Sequence, residues 1–276
     1  MSPAALVRRF PLVSYFVLAY AVSAVALAVL GPPSLAPGGR RNLASLVMFP
    51  VMVVAVGLIG VALTGVVEGR RGLRELGSRW RWRVGLRWYA AAVLIPPAAI
   101  LLVLTVLRLL LSPAFAPGFD LFGIAAGAVA GFCEEWGWTG FAYPRMAVRL
   151  GPLGGAVVLG VLWGIWHLPV VDSLGAASPH GPAWPEFFLA FVVLVAGLRV
   201  LIAWVYSGTG SVLLAQVMHA SSTGFLVILS AGGVSPYQES AWYALDAAVL
   251  WMVVVLVVLG GGFQRAAVVE RRSADA

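Results

Sequence analysis

Residues 121–142 read LFGIAAGAVAGFCEEWGWTGFA. The run is apolar over about the 20 residues that a helix needs to cross a bilayer, yet Glu134 and Glu135 stand side by side within it. On translocon scales an acidic residue at a helix centre costs about 2.5 to 3.5 kcal/mol, so such residues mark function by default. A structural ion pair or a protonated packing residue is the plainer reading. Gly123, Gly127 and Gly131 recur every four residues and Glu135 continues the row. A small-residue row lets another helix approach closely, which turns the carboxylates into a bundle.

The rest of the chain supplies that bundle. Hydrophobic residues make up 61% and charged residues 11%, against about 45 to 50% and 25% in soluble domains. Mean hydropathy is +0.97. A water-soluble globule is excluded. Working outward, the apolar runs fall at about 10–30, 43–67, 88–111, 121–142, 152–171, 187–206, 210–230 and 241–263. The expectation is an all-α polytopic membrane bundle of about eight transmembrane helices. The first run lacks a clean small-residue cleavage site and reads as a retained helix. Pro50, Pro96 and Pro97 inside spans imply kinks.

All 18 basic residues are arginine. With the amino terminus inside, fourteen of them are cytoplasmic and only Arg40 and Arg41 lie on the outer side. The positive-inside rule then puts both termini in the cytoplasm, and it accounts for the formal charge of +7 without a nucleic-acid partner. Residues 68–87 hold seven of these arginines, with Leu73, Leu76, Trp80 and Val84 at helical spacing, an interfacial pattern. That segment reads as a topological anchor, or as a helix that grips anionic lipid or guides a substrate. The single Cys133 excludes an internal disulfide and a multi-cysteine metal site. Three regions follow: 1–120 with the amino-terminal helices, 121–230 as the core, and 231–276 with the last helix and a cytoplasmic tail.

Two more spans carry polar groups on inward stripes. His167 follows Trp163 by one turn and extends the Gly160, Gly164 row, while Gln216, His219 and Thr223 share one face of their helix. A lone histidine of this kind is more often a core donor bonded to a backbone carbonyl. Two histidines and two glutamates on three stripes form a chemical site instead. At about 1.5 Å per residue, Glu134 and Glu135 lie about 10 to 12 Å deep, His219 about 14 Å and His167 at most about 22 Å. One water-filled cavity can hold all four.

At these residues the sequence resembles the CAAX-processing and bacteriocin-processing (CPBP) family of intramembrane proteases, which includes the endopeptidases that trim prenylated proteins. The family's three motifs read here as EEWGWT (134–139), WGIWH (163–167) and HASST (219–223). Thr139 stands where the family has arginine, Trp163 where it has phenylalanine and Thr223 where it has asparagine. The resemblance implies peptide-bond hydrolysis in a bacterial-type cytoplasmic membrane, with the bilayer and a peptide or protein substrate as partners. It implies that Glu134 acts as general base, that His167 holds the water, that His219 and Thr223 face the oxyanion, and that Glu135 assists. The expected cofactor is none. A zinc form would use Glu134, His167 and His219, though no HExxH motif is present.

Other readings stand beside this one. A proton-coupled transporter also uses intramembrane acids and histidines, and a non-catalytic family member would act as an immunity or interaction factor. Arg199 lies about as deep as Glu135, counted from the inner end of its span at Tyr206. It either reaches Glu135 across the bundle, replacing the charge missing at position 139, or snorkels to the interface.

Overall fold

Every apolar run lies on a helix. The computed structural model describes residues 2–33, 35–36, 40–41 and 43–263. The helices are α1 (Pro3–Arg9), α2 (Pro11–Leu30), α3 (Leu43–Ser78), α4 (Leu86–Leu110), α5 (Phe122–Gly137), α6 (Tyr143–Trp166), α7 (Val171–Leu174), α8 (Trp184–Thr209), α9 (Val212–Ile228) and α10 (Pro236–Leu259). The strands described are the two-residue pair Leu35–Ala36 and Arg40–Arg41. Among the described residues, six helical stretches are long and apolar enough to cross a membrane, with Val212–Ile228 as a shorter apolar helix. The chain is an all-α, multi-pass membrane protein. Arg265, Arg271 and Arg272, three of the fourteen arginines assigned to the cytoplasm, lie outside the described residues.

Glycines explain how the expected runs fit into fewer continuous helices. The 45-residue stretch Phe122–Trp166 contains two of those runs, and Gly151 interrupts it at φ +73°. Only glycine enters that region without steric cost. The chain doubles back there, since the Tyr143 hydroxyl donates to the Pro152 carbonyl at 3.4 Å, whereas a straight helix would hold those residues about 13 Å apart. Gly69, at φ +65°, separates the membrane part of α3 from its arginine-rich end. A Cβ on Gly65 would lie 3.5 Å from Leu73, so this end also folds back.

Close backbone approach places α5 between α3 and α9. A Cβ on Gly127 would meet the Ala220 carbonyl oxygen and sit 2.8 Å from Gly224 Cα, and one on Gly60 would sit 2.6 Å from Gly137 Cα. On α6, a Cβ on Gly160 would lie 2.6 Å from Ala196 Cα of α8. The two ends of the bundle are tied separately. At the arginine-rich end, Val212 N–H donates to the Arg79 carbonyl at 2.8 Å, and the Ser211 hydroxyl donates to Arg81 at 2.6 Å. At the other end, Asp120 N–H donates to Ile228 at 3.0 Å, and α10 starts on a capping box of Ser235 and Gln238.

Candidate active site within the bundle

Glu134 and Glu135 end α5 where the helix widens. Trp138 N–H is shared between the Glu134 and Glu135 carbonyls, Tyr143 N–H reaches Trp138 O, and Trp138–Ala142 forms a π-helical turn. Such turns occur often at functional sites. Both carboxylates are fully buried, and their surroundings differ. Glu134 Oε2 accepts two indole N–H bonds, from Trp138 at 2.8 Å and from Trp163 at 2.9 Å. Glu134 Oε1 accepts none.

Glu135 is fully engaged. Arg199 of α8 donates to Oε1 through Nη2 at 2.7 Å and to Oε2 through Nη1 at 2.8 Å, the bidentate geometry in which guanidinium and carboxylate pair best. His219 Nδ1 donates to Oε1 at 2.8 Å, and the Thr139 hydroxyl donates to Oε2. Arg199 also bonds Thr139 Oγ1 at 3.2 Å and lies over the Trp163 ring at 4.3 Å. The arginine is fully buried and does not snorkel. One guanidinium from α8 thus meets the carboxylate beside the threonine that stands in the motif's arginine position.

The histidines present their outer nitrogens. His219 donates through Nδ1, so Nε2 points away from Glu135, and its ring lies 4.8 Å from that of Trp163. His167 Nδ1 donates to the Trp163 carbonyl at 2.9 Å, the common structural bond for a helix histidine, and this also leaves Nε2 free. Rings of Phe49, Trp163, Trp166 and Phe191 surround His167. Thr223 is half-buried one turn beyond His219. Gln216, on the same stripe, serves packing: it donates to Phe132 O at 2.9 Å and accepts from the Trp80 indole at 2.8 Å. Glu134, Glu135, His219, Arg199 and Trp163 are therefore joined directly, while His167 and Thr223 each stand one turn away.

Among the described residues no three His, Cys, Asp or Glu side chains lie close enough to hold a metal. Nδ1 of His219 and Nδ1 of His167 are both committed to protein acceptors, which leaves Nε2 of each as the nitrogen that would meet a water or a metal ion.

Sequence reasoning missed several groups. Trp138 is legible only from its place in EEWGWT, one turn after Glu134, which puts its ring within reach of the carboxylate. His180, in the glycine- and proline-containing stretch between two apolar runs, has no helical spacing to mark it. Its Nδ1 meets Asp172 at 2.6 Å, Nε2 meets Glu239 at 3.1 Å, and the ring stacks on Phe187 at 3.6 Å. Glu239 in turn accepts from the N–H groups of Ala176 at 2.7 Å and Ala177 at 2.5 Å. This cluster lies at the opposite end of the bundle from Arg79. Asp246 of α10 is buried as well. Asp246 inside the last apolar run, with Glu239 just before it, is the available signal.

The fold and the site together define a class: a multi-pass helical membrane protein with a buried glutamate and histidine centre. Comparison with known proteins agrees with the resemblance read from the motifs. Residues 116–225 match the family described as Type II CAAX prenyl endopeptidase Rce1-like, a segment that holds all three motifs and Arg199. The chain is also similar to CAAX prenyl protease 2 of Methanococcus maripaludis, at 23% identity over 194 residues. That match covers 64% of this chain and 66% of the relative.

Proposed function

We propose that the chain is an intramembrane endopeptidase that hydrolyses a peptide bond of a membrane-associated or lipidated substrate with a glutamate-activated water. The observation that carries this reading is the divided carboxylate of Glu134: Oε2 is held by two indoles, and Oε1 is buried without a partner. A base must present a free oxygen to the proton that it abstracts. His167 Nε2 holds the water, and Glu134 Oε1 takes its proton as the oxygen attacks the carbonyl carbon. Nε2 of His219 faces the oxyanion, with the Thr223 hydroxyl as a donor. Glu134 then returns the proton to the leaving amine. The Arg199–Glu135 pair holds His219 in place.

The name of the relative in Methanococcus maripaludis supports a prenylated carboxy-terminal peptide as the first substrate to try. The membrane is proposed as a bacterial-type cytoplasmic one, with both termini on the cytoplasmic face, on the arginine distribution. Hydrolysis needs no metal in this reading. The test uses purified protein in liposomes and a quenched-fluorescence peptide ending in a farnesylated Cys-aliphatic-aliphatic-Met sequence. Cleavage by the wild type and its loss in Glu134→Gln support the proposal. Equal cleavage by both, or stoichiometric zinc whose removal abolishes cleavage, would overturn it.

A further inference from the structure

Trp138 and Trp163 come from different helical segments and send their N–H groups to a single oxygen, Glu134 Oε2, at 2.8 and 2.9 Å. An indole N–H is donor only. It neither takes a proton from the carboxyl group nor competes with it as a base. A carboxylate left to turn about its last side-chain torsion presents either oxygen, because that torsion is broad. Two donors on one oxygen remove the choice and leave Oε1 as the sole open acceptor.

Both rings are themselves held. Trp138 is fully buried, edge-on to Tyr15 at 5.4 Å and to Trp166 at 5.6 Å. Trp163, 2% exposed, carries the Arg199 guanidinium over its face and sits against His219. A phenylalanine at either position keeps the ring and loses the donor. Trp163 touches Glu134, Arg199 and His219 at once, so it also couples the free carboxylate to the ion-paired one.

We infer that Trp138 and Trp163 are paired positioning residues that clamp Glu134 Oε2 and thereby select Oε1 as the oxygen facing the reaction. The inference rests on the reading of Glu134 as general base. Its test therefore has one arm that needs no catalysis. Intact protein carrying nitrogen-labelled indoles is observed by magnetic resonance in detergent micelles, where each of the 11 tryptophans gives one indole N–H signal. Trp138→Phe and Trp163→Phe assign the two signals. Glu134→Ala is expected to shift both of them, with the protein still folded by its remaining signals.

In the catalytic arm, with the farnesylated peptide in liposomes, each phenylalanine variant is expected to lower kcat about tenfold with KM within about twofold, as for loss of a bond to a charged group that acts in the transition state. The double variant should lose less than the product of the two single losses, because both donors act on one oxygen. Signals that stay in place in Glu134→Ala, or phenylalanine variants with wild-type kcat or with losses confined to KM, overturn the clamp. If the wild type leaves the peptide intact, the substrate reading fails and the indole signals alone decide the clamp.

Discussion

Arg199 and Thr139 show how one site can draw its charge from different places in the chain. A buried pair that loses one partner leaves an uncompensated charge, at about 3 to 5 kcal/mol. Arg199→Leu should destabilise the protein by that amount in thermal or denaturant unfolding. Glu135→Gln combined with Arg199→Leu should recover part of it, and strict additivity would sever the coupling. Thr139→Arg in the Arg199→Leu background should recover stability as well, because Thr139 already touches the same carboxylate. Thr223→Ala is expected to lower turnover by about 10² to 10³ with little change in substrate affinity, as for loss of an oxyanion donor. The sequence made the level of Arg199 legible, since helical rise is constant and depth is a count of residues. It hid the indole bonds, because the direction of an N–H depends on a rotamer and on which helix packs opposite.

At the scale of elements, glycine decides both where helices turn and how closely they pack. Gly123, Gly127 and Gly131 were readable as a row, and the row lies against α9. The hairpin at Gly151 was legible as a break between runs. The π turn at Trp138–Ala142 was not, because it arises from shared backbone bonds that leave no mark in residue periodicity. Gly127→Ala would drive a Cβ into the backbone of Ala220 and Gly224, and is expected to cost about 1 to 3 kcal/mol by overpacking. Gly77, exposed on the interfacial helix, has open space around its Cβ position. Gly77→Ala should therefore stabilise by up to about 1 kcal/mol through helix propensity. Unfolding midpoints of the two variants, moving in opposite directions, check both statements.

Across the whole molecule, polar ties at both ends frame a bundle whose centre holds the candidate site. His180 tells the two ends apart. Burial opposes its charge, but the bonds to Glu239 and Asp172 outweigh burial and raise its pKa above the usual histidine value. Its contribution to stability is then full below the unfolded pKa and fades as pH rises through the folded one. Thermal midpoints followed from about pH 5 to about pH 9 should fall more steeply for the wild type than for His180→Asn. Equal slopes would remove the cluster as a clamp between the 172–180 segment and α10. The role proposed for Glu134 is to drive peptide-bond hydrolysis in the membrane. It is tested most directly by comparing the carboxy termini of membrane proteins from cells that express the wild type and cells that express Glu134→Gln at equal level. New termini that form with the wild type and are absent with Glu134→Gln are the predicted result. Identical sets of termini from the two would contradict it.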